Sequence, residues 1–130
     1  MYQKLQFVDG TQVQILGCYG APEYFRDSMR DTLEYRIDPS VLSFDEAEQL
    51  FTAENCDVIQ LLDVYDNDAT HIAHTHEGYT ERVYLKLSEE KVLVADNEFV
   101  NKNLLVCKMA KKSEAEILAE AYEILVGNEE

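Results

Sequence analysis

The three histidines of the chain fall within six residues, in "THIAHTHEGYT" from Thr70 to Thr80. Imidazole is both a metal ligand and a proton carrier near neutral pH, so this stretch is where chemistry is first to be sought. Turn-forming residues bracket it, Asp66-Asn67-Asp68 before and Glu77-Gly78 after, and the segment between reads as a strand. Side chains alternate along a strand. That places His74 and His76 on one face with Ile72, and His71 on the other with Ala73 and Thr75. Two imidazoles at i and i+2 can hold an ion, but a stable site needs a third or fourth ligand. Glu77 follows too closely along the chain to supply it, and no cysteine is near in sequence. The expectation is a polar edge strand whose imidazoles are half solvated and pair with carboxylates, with no metal and no cofactor.

Other reactive residue types are no better arranged. Cys18, Cys56 and Cys107 are odd in number, far apart and without C-x-x-C spacing, which argues against a zinc site or disulfide framework and for a reducing compartment. A Cys–His nucleophile would have to use Cys56 or Cys107, and both read as strand positions suited to core packing. Gly17 and Gly20 in "GCYGAPEYFRDSMR" are not followed by Lys-Ser/Thr or by a clear helix start. That stretch therefore reads as a connecting loop rather than a phosphate cradle. No G-x-S-x-G, P-loop, H-E-x-x-H or dinucleotide fingerprint is present. No enzyme is expected.

The elements that would position these residues read as α+β. "KLQFVDGTQVQI" alternates about Asp9-Gly10. A two-residue loop would set Leu5 and Phe7 opposite glutamines. A three-residue loop, Val8-Asp9-Gly10, instead pairs Phe7 with Thr11 and Leu5 with Val13, with Gly10 left-handed. The second register gathers the apolar residues on one face and is the one expected. "DTLEYRID" is a strand with Leu33, Tyr35 and Ile37 inward, ended by Pro39. Ser43 and Glu46 form a capping box that opens a helix with Phe44, Ala47, Leu50 and Phe51 buried. "DVIQLLDVYD", the histidine stretch, "YTERVYLKL", "KVLVA" and "LLVCKM" follow as strands. A second capping box, Ser113 to Glu116, opens an amphipathic helix that stops at Gly127. The sum is a mostly antiparallel sheet of about seven strands, with an N-terminal hairpin, one internal helix and a C-terminal helix, in a single domain over residues 1–130.

Composition limits the partners. Of 130 residues 46% are apolar, enough for a hydrophobic core. The 26 acidic and 11 basic residues leave a net charge of -15, a field that repels phosphate backbones. The one short basic cluster, Lys108, Lys111 and Lys112, is followed at once by Glu114 and Glu116. Nucleic acid and anionic membrane are therefore not expected partners. "MYQKLQFVDG" lacks the apolar core of a signal peptide, and the short apolar runs fit no membrane span, so a cytoplasmic location is expected.

Taken in order, "LQFVDGT", "RDTLEYRID", "SFDEAEQLF", "YTERVYLKL" and "VCKMAKKSEAEILAEAYEIL" resemble small proteins encoded in the tail modules of phages and prophages of Gram-positive bacteria. Those are hairpin-first domains ending in a similar helix, and the likeness covers most of the chain. The resemblance implies a structural or tail-assembly role without catalysis, in the bacterial host cytoplasm during assembly or in the virion tail. It carries no site residues to transfer. From the residues themselves, the last helix holds apolar side chains over a broad arc, Ile117, Leu118, Ala121, Ile124 and Leu125. Its glutamates at 116, 120 and 123 form a stripe expected to face water. Part of that arc is the candidate interaction face, toward other tail proteins or a second copy. Two other classes stay open: a small acidic inhibitor or nucleic-acid mimic, and a metal- or ligand-binding regulator using His74 and His76.

Overall fold

Strand β1 (Tyr2–Gln6) turns back into β2 (Gln12–Ile15) in the expected register, in a computed structural model that describes residues 1–26, 28–93 and 95–127. Leu5 lies opposite Val13. The Phe7 N–H donates to Thr11 O at 2.9 Å, the Gly10 N–H donates to Phe7 O at 3.0 Å, and Gly10 sits at φ 88°. Only a residue without Cβ takes that conformation freely. Leu5, Phe7, Val13 and Ile15 are all buried, so the alternation decides the register as hydrophobic patterning should.

From Ile15 the chain passes through the single residue Leu16 into β3 (Gly17–Phe25) and β4 (Ser28–Ile37). This corner moves it from one sheet to the other. β3 is a correction: the stretch expected to be a loop is a nine-residue edge strand paired with β4 from Gly17–Arg36 to Phe25–Ser28. Pro22 and the glycines read as breakers, yet on an edge strand the missing N–H of proline costs no ladder bond. Helix α1 (Phe44–Leu50) follows, with the Ser43–Glu46 capping box formed in both directions. It buries Ala47 and Leu50, and Phe51 beyond it, but Phe44 is partly exposed.

Strand β5 (Val58–Val64) docks antiparallel on β1 and receives β6 (Thr70–Glu77) on its other side. The sequence expectation of two separate strands, "YTERVYLKL" and "KVLVA", gives way to one strand of 13 residues, β7 (Glu81–Leu93). It pairs with β8 (Phe99–Ala110) along its whole length. Among the described residues there are eight strands in two sheets of four, ordered β2-β1-β5-β6 and β3-β4-β8-β7, rather than one sheet of about seven. The coarser expectation, α+β with antiparallel pairing, stands. Both sheets and α1 contribute to one buried cluster, in which Phe51 meets Phe7 edge-on at 5.1 Å and Tyr35 at 5.8 Å between ring centroids.

Two features break the compact outline. β4 covers β8 only from Leu105 to Ala110, so Phe99–Leu104 and their β7 partners form a two-stranded arm about 20 Å long. The arm reverses near a 3-10 turn at Ala95–Asn97, where Asp96 and Asn97 are left-handed. Helix α2 (Glu114–Gly127) stands at the opposite end of the same sheet, where Lys111 N–H donates to Asp31 O. None of the described helices is long and apolar enough to cross a membrane.

Candidate functional site

The histidines are on β6, as expected, but a bulge alters which face each takes. Leu61 lies opposite His74 while the next residue, Leu62, lies opposite Ile72, so Ala73 is the extra residue of the bulged strand. His74 and His76 keep a common face, their rings stacked at 6.3 Å. Ile72 moves to the other face, half exposed, and Ala73 turns toward the core. His76 is half-buried, with Nδ1 3.2 Å from Tyr35 Oη. Tyr35 is fully buried, and burial pushes its phenol pKa far up. The hydroxyl therefore keeps its proton, and the hydrogen bond with Nδ1 gives this buried polar group its partner. Burial, and then the neighbouring His74, lower the His76 pKa. His71 lies opposite Asp63, apart from this pair. Among the described residues no three His, Cys, Asp or Glu side chains converge as metal ligands would. What the pair does is close the open end of the core over Tyr35.

Cys18, Tyr35 and Cys107 form a row across β3, β4 and β8. Burial raises the Cys18 thiol to about 11 and the Cys56 thiol to about 12, and pushes Cys107 up as well. A thiol reacts as its thiolate, so these three are packing residues. Cys56 lies in the turn before β5 rather than on the strand the sequence suggested.

A broad, open concavity lies where the arm leaves the body. About 830 Å³ lies between Leu16, Tyr19, Arg36 and the Asp38–Ser40 turn on one side, and Glu90, Lys91, Leu93, Lys102 and Leu104 on the other. Gly17 shapes its wall: a Cβ there would stand 2.9 Å from the Tyr19 ring, which lies over the glycine. The Arg36 guanidinium stacks on that ring at 5.0 Å and pairs with Glu90 at 2.7 Å and Glu34 at 3.2 Å. Glu34 in turn accepts from the Tyr84 hydroxyl. Burial would raise the Glu34 pKa, but these donors and the nearby cations outweigh it and hold the carboxylate low. Arg36, Lys91 and Lys102 come from three strands distant in sequence, which is why no basic cluster was visible there. The cluster that was visible is neutralised instead. Lys108 pairs with Glu23 at 2.7 Å and Lys112 with Glu120.

Helix α2 is held at its first turn and exposed beyond it. The Glu116 N–H donates to Ser113 Oγ, as the second capping box requires. The Ser113 backbone is in turn among the hydrogen bonds that hold the Glu116 carboxyl low. The carboxylate also accepts from Arg30, whose Nη2 is 2.6 Å away and whose side chain is buried, and it lies 3.5 Å from Arg26. Arg30 also donates to Lys111 O and lies over the Phe25 ring. Of the stripe expected to face water, Glu120 and Glu123 are exposed, and Glu116 is the member held by the body. Ile117, Leu118 and Tyr122 are 54%, 69% and 68% exposed, and Ala121 is exposed with them. The side chains of Ile124 and Leu125, the rest of the candidate face, lie outside the described residues.

Comparison with protein-family models, curated protein sequences and solved structures finds no match.

Proposed function

We propose that this chain is a non-enzymatic assembly protein of a phage or prophage tail, working in the bacterial host by binding other tail proteins or further copies of itself. The observation that carries the reading is α2. A 14-residue helix is too short to be stable alone in water. This one is tied down at Glu116 and leaves Ile117, Leu118 and Tyr122 exposed. Burying such side chains is worth about 1.5 to 3 kcal/mol each, and a chain that leaves them on a fixed scaffold has a binding surface. The likeness of five segments to tail-module proteins supplies the setting. Deleting the coding sequence from a phage or prophage that carries it, and imaging the particles by negative stain, tests the reading. Absent or malformed tails are expected, and particles with normal tails would overturn it.

A further inference from the structure

The assembly reading leaves the partner of α2 open, and the chain itself carries a surface suited to receive it. We infer, resting on that reading, that the outward face of α2 from one copy seats in the groove beneath the β7–β8 arm of a second copy, joining copies head to tail.

Position excludes the simpler arrangement in which a chain fills its own groove. Arg30 holds the first turn of α2 at one end of β4, and Arg36 lines the groove at the other. Six residues of strand separate them by about 20 Å. Shape agrees with the pairing. Ile117, Leu118, Ala121 and Tyr122, at i, i+1, i+4 and i+5, share one helix face, and Leu16, Tyr19, Leu93 and Leu104 provide the apolar lining opposite. A volume of about 830 Å³ lies toward the upper end of sites that engulf small ligands, roughly 300–1,000 Å³. An amphipathic helix laid in an apolar groove is a recurrent recognition mode.

Charge selects the occupant. The helix carries Glu114, Glu116, Glu120 and Glu123 and no basic residue. In a chain of net charge -15, the groove sets three cations, Arg36, Lys91 and Lys102, against two carboxylates, Asp38 and Glu90. Arg36 is already paired within its own chain, whereas exposed Lys91 and Lys102 hold no ion pair among the described residues. Lys102 lies near Asp38, and Glu120 is paired with Lys112, which leaves Lys91 and Glu123 as the charges to meet at the rim, where complementary charge fixes register and favours the right partner. A contact between two different surfaces of identical chains repeats, closing into a ring or continuing as a filament, which is the geometry a tail requires.

Sedimentation velocity over a concentration series, with full-length chains, tests this. Wild type is expected to gain mass with concentration. Leu118→Asp spoils the helix face and leaves the groove, while Lys91→Glu with Lys102→Glu spoils the groove and leaves the helix. All three positions are exposed, so circular dichroism should show both variants folded. Each alone is expected to stay monomeric, and an equal mixture to form a dimer, since one good helix then meets one good groove. A monomeric wild type overturns the inference, as does a groove variant that associates like wild type. A mixture that stays monomeric while wild type associates overturns it too, since an intact helix and an intact groove would then have failed to meet. Malformed tails after gene deletion together with a monomeric wild type would sink this contact alone, leaving the tail reading intact.

Discussion

An added methyl at Gly17 would collide with the far end of a movable ring, whereas at Gly10 it would meet open space but a left-handed backbone. The two glycines therefore predict opposite outcomes. Gly17→Ala is expected to swing Tyr19 out of the groove while changing stability by only about 0.5 kcal/mol, as surface changes do, so sedimentation should register it and urea unfolding should not. Gly10→Val is expected to cost about 1 to 2 kcal/mol or more in urea unfolding, because a β-branched residue is strained at positive φ. His76 allows a sharper comparison. His76→Phe leaves the Tyr35 hydroxyl buried without its partner and is expected to cost about 1 to 3 kcal/mol. Adding Tyr35→Phe removes the orphaned hydroxyl and should recover part of that loss. A double variant no more stable than His76→Phe would show that the hydrogen bond between them is not what the core depends on.

At the level of elements, α2 depends on Glu116 in a way its sequence conceals. Hydrogen bonds from Arg30 are the main cause holding the Glu116 carboxyl below its ordinary value near 4.5. The anchoring is fully present above that value and is lost as pH falls through the lowered one. Glu116→Gln is expected to do the same at neutral pH, reducing the helical circular dichroism while the sheets melt as before. An unchanged helical signal would mean that the cap at Ser113 suffices. Elements fixed by neighbours in sequence were legible: the hairpin register, the capping box at Ser43, the inward face of Leu33, Tyr35 and Ile37, and the position of α2. Those fixed by distant partners were not. β3 is a strand because β4 offers it an edge, and β7 runs through Ser88-Glu89-Glu90 because β8 pairs with every residue there. The groove's cations meet only after folding. The place of Glu116 was misread because amphipathicity groups it with Glu120 and Glu123, whereas Arg30, 86 residues away along the chain, draws it to the body.

For the whole molecule, pH acts through the core as well as through the helix. Below about pH 6.5 the unfolded chain takes up a proton at position 76 that the folded chain resists, since burial lowers the His76 pKa. Stability is therefore expected to fall as pH drops from there through the lowered folded value. Urea unfolding across that range should show the loss, and His76→Phe should flatten it. If the variant declines as steeply as wild type, the carboxylates alone are responsible. The pairing of β1 with β5 has a consequence for synthesis. Leu5 waits for Leu61, some 50 residues later, which at 5–20 residues per second is roughly 3 to 10 seconds of translation. Through that interval the first hairpin emerges from the ribosome with an unsatisfied strand edge and a greasy inner face. The earliest part of the chain to be made is thus also the first to stand exposed, and it is there that a chaperone would find its first hold.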